Sequence, residues 1–302
     1  EQDFQPMTFS LRKSDLGALL ALVLFWSLAF VMLKISVATV PPASGAFIRI
    51  VIAATLLWAI MRLMGERLPE KPEHWQYLSV LGIIANVLPF TLVLYGMKHI
   101  ESGVGAILMG IMPVITVVLA HFFSDHTERL TVRKTIGVGI GFTAILLLLG
   151  PSTLTRLGEQ TLAELAVVCG AICFAVAAVI TRRAPELPIA SLSAGIMFAS
   201  ALFSLPVALI LDWPLNFTPD IPALLALVWL GVFPTGLATL LYFFVVLKSG
   251  TGLLAMSNYL VPIAGVIWGA ILLGERPNWQ SFLALAMVVL GTWLVGPSQS
   301  RR

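Results

Sequence analysis

Apolar residues run along the chain in blocks of about twenty, and charged residues collect in the short gaps between them. That block length matches a hydrocarbon layer of about 30 Å crossed at 1.5 Å per helical residue. Cut at charges, prolines and glycines, the pattern predicts ten spans: 16–35, 43–64, 75–97, 102–123, 132–149, 161–181, 189–211, 222–247, 251–273 and 279–295. The gaps hold only short loops, so the expected fold is an all-α integral membrane protein. Trp75, Trp213 and Trp279 stand at span ends, where interfacial anchors belong.

The fourth and ninth spans are related. A shift of 149 positions places Gly103 on Gly252, Ala106 on Ala255, Pro113 on Pro262 and Val117 on Val266. Each carries one proline and a small or polar stripe at helical spacing: Ser102, Ala106, Met109, Pro113 and Thr116 in one, Thr251, Ala255, Asn258, Pro262 and Gly265 in the other. The same shift sets Gly82, Asn86 and Pro89 of the third span against Gly231, Thr235 and Ala238 of the eighth. Five spans separate equivalent helices, and five is odd, so the two halves are expected to run in opposite directions through the membrane. Proline-interrupted helices in corresponding positions of an inverted repeat point to a transporter's binding site; small residues that merely allow close helix packing are the competing account. The expected organisation is a tail over 1–15, five-helix repeats over 16–149 and 161–296 joined by an external linker over 150–160, and a tail over 297–302.

Composition sharpens this reading. Of 302 residues 59% are hydrophobic and 11% charged, which excludes a soluble domain. The net charge of +3 would suggest nucleic acid in a soluble protein, but here it follows from loop bias, and no nucleic-acid partner is expected. With the N-terminus inside, thirteen Lys and Arg fall on the cytoplasmic side against three outside, Lys98, Arg156 and Arg276, so both termini are expected in the cytoplasm. The first apolar run is too long for a signal sequence and reads as a retained helix. Cys169 and Cys173 lie four apart on an apolar helix, and the four histidines show no metal-ligand spacing, so no metal or cofactor is expected.

The chain resembles the ten-helix drug/metabolite transporter superfamily in its EamA-type branch. Trp26, Phe30 and Lys34 in the first span carry the resemblance, with Pro41-Pro42 and Arg49 in the second and Leu273-Gly274-Glu275-Arg276 closing the ninth. Within that branch it is similar to the bacterial YddG-type exporters of aromatic amino acids. The resemblance implies a multi-pass protein of the cytoplasmic membrane that exports small metabolites by alternating access. The first half departs from the pattern, with Ser124-Asp125 and a later Glu128 in place of a compact Leu-Gly-Glu ending.

The acidic residues all fall in tails, loops or span ends, Asp15 and Glu164 lying nearest the apolar zone. Proton-coupled carriers hold a carboxylate within the membrane, so facilitated movement is expected. Lys34 and Arg49 are the basic residues in or beside spans; they either snorkel and bond carbonyls or attract a carboxylate. A neutral, amphipathic site is expected from Trp26, Asn86, Tyr95, Met109, Trp229, Tyr242, Asn258 and Tyr259, with Pro89, Pro113, Pro234 and Pro262 as helix breaks or gates. Such a site suits amino acids, aromatic and other neutral ones, carried by a monomer in the bilayer. A proton-coupled drug or organic-cation exporter is the alternative. A polytopic membrane enzyme is disfavoured, since neither paired carboxylates nor an activated nucleophile is present.

Overall fold

The computed structural model describes residues 13–123, 131–149, 158–181, 183–249 and 251–296. Among them the secondary structure is helical: α1 (Lys13–Ser36), α2 (Pro42–Leu63), α3 (Pro72–Gly82), α4 (Leu88–His99), α5 (Ser102–Met109), α6 (Met112–Phe123), α7 (Val132–Leu149), α8 (Glu159–Thr181), α9 (Ile189–Leu211), α10 (Ile221–Leu230), α11 (Ala238–Ser249), α12 (Thr251–Leu273) and α13 (Trp279–Val295). Nine spans among the described residues are long and apolar enough to cross a membrane; α13, at 17 residues, is apolar but shorter. Ser124, Asp125 and Glu128, where the first repeat departs from the family pattern, lie outside the described residues.

Two spans are interrupted at equivalent places. A π-helical segment, Ile83–Val87, joins α3 to α4, and a second, Gly231–Leu237, joins α10 to α11. The shift of 149 positions carries one onto the other. Pro234, inside the second, has no amide to donate to the Leu230 carbonyl, and the Thr235 hydroxyl donates to it instead at 2.7 Å. A widened turn accommodates the missing bond, as π-bulges do.

The fourth and ninth spans, in contrast, do not break alike. The fourth is split at Gly110–Ile111, just before Pro113, whereas α12 runs unbroken through Pro262. A Cβ on Gly110 would lie 2.8 Å from Pro262 Cγ, so the proline ring occupies the space that glycine leaves. Ala106 of the fourth span and Gly265 of the ninth face each other. A Cβ on Gly265 would come within 2.5 Å of Ala106 Cβ, and one on Gly103 within 3.4 Å of Val266 Cα. At Gly265 and Gly103 the missing side chain allows close helix packing.

Helix pairings repeat when the halves are exchanged. The second span packs on the seventh (α2 on α9), and the fifth on the tenth apolar helix (α7 on α13). α8 packs on α4 as α1 does on α10 and α11, and α1 packs on α12 as α8 does on α5 and α6.

Carboxylates tie the helix ends together. Glu66, just past α2, accepts from the Ser191 amide (3.0 Å) and hydroxyl (3.1 Å) at the start of α9. Asp212, just past α9, accepts from the Ser44 amide (2.6 Å) at the start of α2. Each helix of this pair thus caps the other's N-terminus, where free amides and the helix dipole favour an anion.

Candidate functional site

The π-helical segments present their polar residues inward. Asn86 is buried in the first, and its amide nitrogen donates to Ser200 Oγ of α9 at 3.0 Å. Thr235, at the equivalent place in the second, is buried too and accepts from Arg49 Nε at 2.8 Å. Arg49 does not snorkel. It lies seven residues into α2, 6% exposed, with its guanidinium carbon 3.7 Å from the centroid of the Phe90 ring. The second span, the segment after the first π interruption and the second π interruption thus meet at one cation. Placing such a charge near the centre of an apolar helix costs about 2.5–3.5 kcal/mol on insertion scales, which one neutral hydrogen bond and one ring face only partly offset.

An aromatic cluster lies along the same eighth span. Trp229 and Phe233 have ring centroids 5.5 Å apart, and Phe25 of α1 meets both, at 6.5 Å and 5.2 Å. Phe90, over whose ring the Arg49 cation lies, tilts against Phe174 of α8 at 6.0 Å. Phe25 and Phe233 escaped the sequence reading because the chain carries seventeen phenylalanines, and spacing alone does not separate a lining ring from a lipid-facing one.

One end of the bundle is closed by polar ties. Past α12, Gly274 adopts φ +67, a left-handed conformation that turns the chain back, and the Glu275 carboxylate receives the Ser102 amide (2.6 Å), Ser102 hydroxyl (2.9 Å) and Gly103 amide (3.0 Å). Lys34 Nζ donates to the Ile100 carbonyl at 2.6 Å, as the carbonyl-bonding reading expects. Glu101, between two spans, is pushed above the usual carboxylate range by burial first and by Glu275 second, with Lys34 opposing.

Comparison with known proteins places this architecture. The profile of the EamA-like transporter family matches the chain twice, over residues 13–150 and 161–296. The chain belongs to the EamA-like transporter family. It is 22% identical over 285 residues to the transporter YoaV of Bacillus subtilis, covering 94% of this chain and 97% of YoaV. It is 25% identical over 281 residues to the inner membrane transporter YedA of Escherichia coli K12, covering 92% of this chain and 89% of YedA. Protein PagO of Salmonella typhimurium is 25% identical over 289 residues, covering 94% and 93%. One solved crystal structure superposes with a TM-score of 0.67 at 20% identity, covering 94% of this chain and 98% of the other, which establishes the shared fold. The protein is thus a multi-pass membrane transporter.

Within this EamA transporter the residues expected at the site are dispersed. Trp26 is half-buried against the core cluster of Ala18, Leu19, Leu22 and Ala238, on which Phe25 packs as well. Met109 is half-buried between two core clusters, and Tyr242 is half-buried on α11. Tyr95 is 38% exposed and pairs with His99, 5.5 Å between rings. Tyr259 donates to the Thr292 carbonyl of α13 at 3.4 Å. Asn258, half-buried, makes no side-chain hydrogen bond among the described residues. Glu164, read from sequence as a helix-start residue, lies five residues into α8 and is buried, with Gln160 donating to it at 3.4 Å.

Proposed function

We propose that this EamA transporter exports amino acids, aromatic and other neutral ones, across the cytoplasmic membrane by facilitated alternating access, in the manner of YddG-type exporters. Its working parts are two inverted five-helix repeats over 16–149 and 161–296, with α13 as the tenth crossing and both termini inside. It acts as a monomer. The observation that carries the reading is the pair of π-helical interruptions at equivalent depths of the third and eighth spans. Such interruptions free backbone groups midway through a helix and provide flexible points in two halves that exchange roles. The Phe25–Trp229–Phe233 rings offer stacking faces, and Asn86 on the first π-helical segment a polar amide, of the kind a zwitterion with an apolar side chain needs.

A second reading, proton-coupled export of drugs or organic cations, draws support from Glu164, a buried carboxylate that accepts a long hydrogen bond from Gln160 at 3.4 Å. Proteoliposome flux separates the two. Counterflow of labelled phenylalanine or leucine without a pH gradient is expected; transport restricted to cations and strictly dependent on the gradient would replace the first reading with the second.

A further inference from the structure

We propose that Arg49 is the anion-binding residue of the transport path, holding the carboxylate of a monocarboxylate solute through the outer edge of its guanidinium. This inference rests on the transporter reading and names the charge class of its substrate.

Geometry carries it. Nε is committed to Thr235 Oγ1 at 2.8 Å, and Phe90 covers one face of the plane at 3.7 Å. The hydroxyl that receives Nε is itself held by the Leu230 carbonyl, so the orientation of the guanidinium is set by the proline-widened turn. The two terminal nitrogens remain. They have no hydrogen-bond acceptor among the described residues, and the one ion pair there joins His99 to Glu159, far along the sequence from α2. A side chain more than nine-tenths buried thus keeps its two-pronged donor edge without an acceptor among the described residues.

That edge matches a carboxylate, which accepts two parallel N–H bonds from a guanidinium. A buried cation with no counter-charge is costly, and a bound anion removes the imbalance. The site offers one positive charge. Lys34 is engaged with the Ile100 carbonyl near Glu101 and Glu275, so it adds none to the core. A monoanion balances Arg49, a phosphate ester leaves excess negative charge, and an organic cation is repelled. The rings of Trp229 and Phe233, on the span that also supplies Thr235, offer a face for the rest of the solute.

Binding to the purified full chain tests this with three probes of one shape: phenylpropionate, which has only the carboxylate; phenethylamine, which has only the ammonium; and L-phenylalanine, which has both. Wild type is expected to bind the two carboxylates about tenfold or more tighter than phenethylamine. Arg49→Gln levels the three, and Arg49→Lys restores part of the preference. The proposal is overturned if phenethylamine binds as well as phenylpropionate, if neither carboxylate binds, or if a folded Arg49→Gln keeps the preference. Should that variant fail to fold, the wild-type ranking alone decides. Flux is read separately: probes bound in this order but not moved across liposomes would refute transport of this class and leave Arg49 as an anion site.

Discussion

Glu275 accepts two hydrogen bonds from Ser102, one from its amide at 2.6 Å and one from its hydroxyl at 2.9 Å, although 173 residues separate them. The end of the ninth span is thereby fastened to the start of the fourth. Any rearrangement that parts these two spans at this end must break charge-assisted bonds. Glu275→Ala leaves the Ser102 and Gly103 amides without their acceptor and is expected to lower stability by about 1.5–3 kcal/mol. Thermal unfolding in detergent measures the loss, and an unchanged melting temperature would show the tie to be inconsequential.

Glu101 beside this tie makes a pH prediction. Its pKa is raised in the folded protein, so folding disfavours its charged form. The sign follows: the group's adverse contribution is absent below its unfolded pKa and develops as pH rises through the folded one. Glu101→Gln is expected to stabilise the protein slightly at neutral pH and to flatten the stability change as pH rises above the usual carboxylate range, without altering it at lower pH. Melting curves of both proteins across that range check it.

The reciprocal caps of α2 and α9 predict additivity. Removing the carboxylate at either end, by Glu66→Ala or Asp212→Ala, is expected to cost about 0.5–2 kcal/mol. The two caps sit at opposite ends of the helix pair, so the double variant should lose the sum of the single losses. A marked departure from additivity would indicate that the ends are mechanically coupled.

Gly265 and Ala106 make a packing prediction. A methyl group on Gly265 would overlap Ala106 Cβ, so Gly265→Ala is expected to destabilise by about 1–3 kcal/mol. Adding Ala106→Gly in the same chain should recover most of the loss. Failure of the second change to rescue the first, in a four-member unfolding cycle, would show that the strain is relieved elsewhere.

Asn258 sits one helical turn before Pro262, which has no amide to bond the Asn258 carbonyl, and its side chain is half-buried. Asn258→Ala is expected to reduce flux severalfold at normal expression and with a melting temperature within a degree or two of wild type, since a solute or gate contact is lost rather than a core bond. Full flux at equal protein density in liposomes would assign it to packing.

Much of this was legible along the chain. Block length and loop charge predict the spans, and the shift of 149 positions pairs the third span with the eighth. The two stripes of small residues are legible as a pattern, and at Gly265 against Ala106 the structure shows close packing. The paired prolines misled in one respect. Pro113 follows a split helix while Pro262 lies in a continuous one, its ring against Gly110, a neighbour that is not adjacent in sequence.

What the sequence by itself determined is the membrane class, the internal repeat and the rarity of Arg49 as a charge within the second span. The tertiary structure alone decided which way each side chain faces. Along a soluble helix an apolar stripe marks the buried side, but a span in lipid is apolar on both its lipid and its core faces, so periodicity does not tell exposed Tyr95 from buried Asn86. Pairings such as Arg49 with Thr235, 186 residues apart, and Glu66 with Ser191, 125 apart, depend on how the two halves pack. No local pattern encodes them.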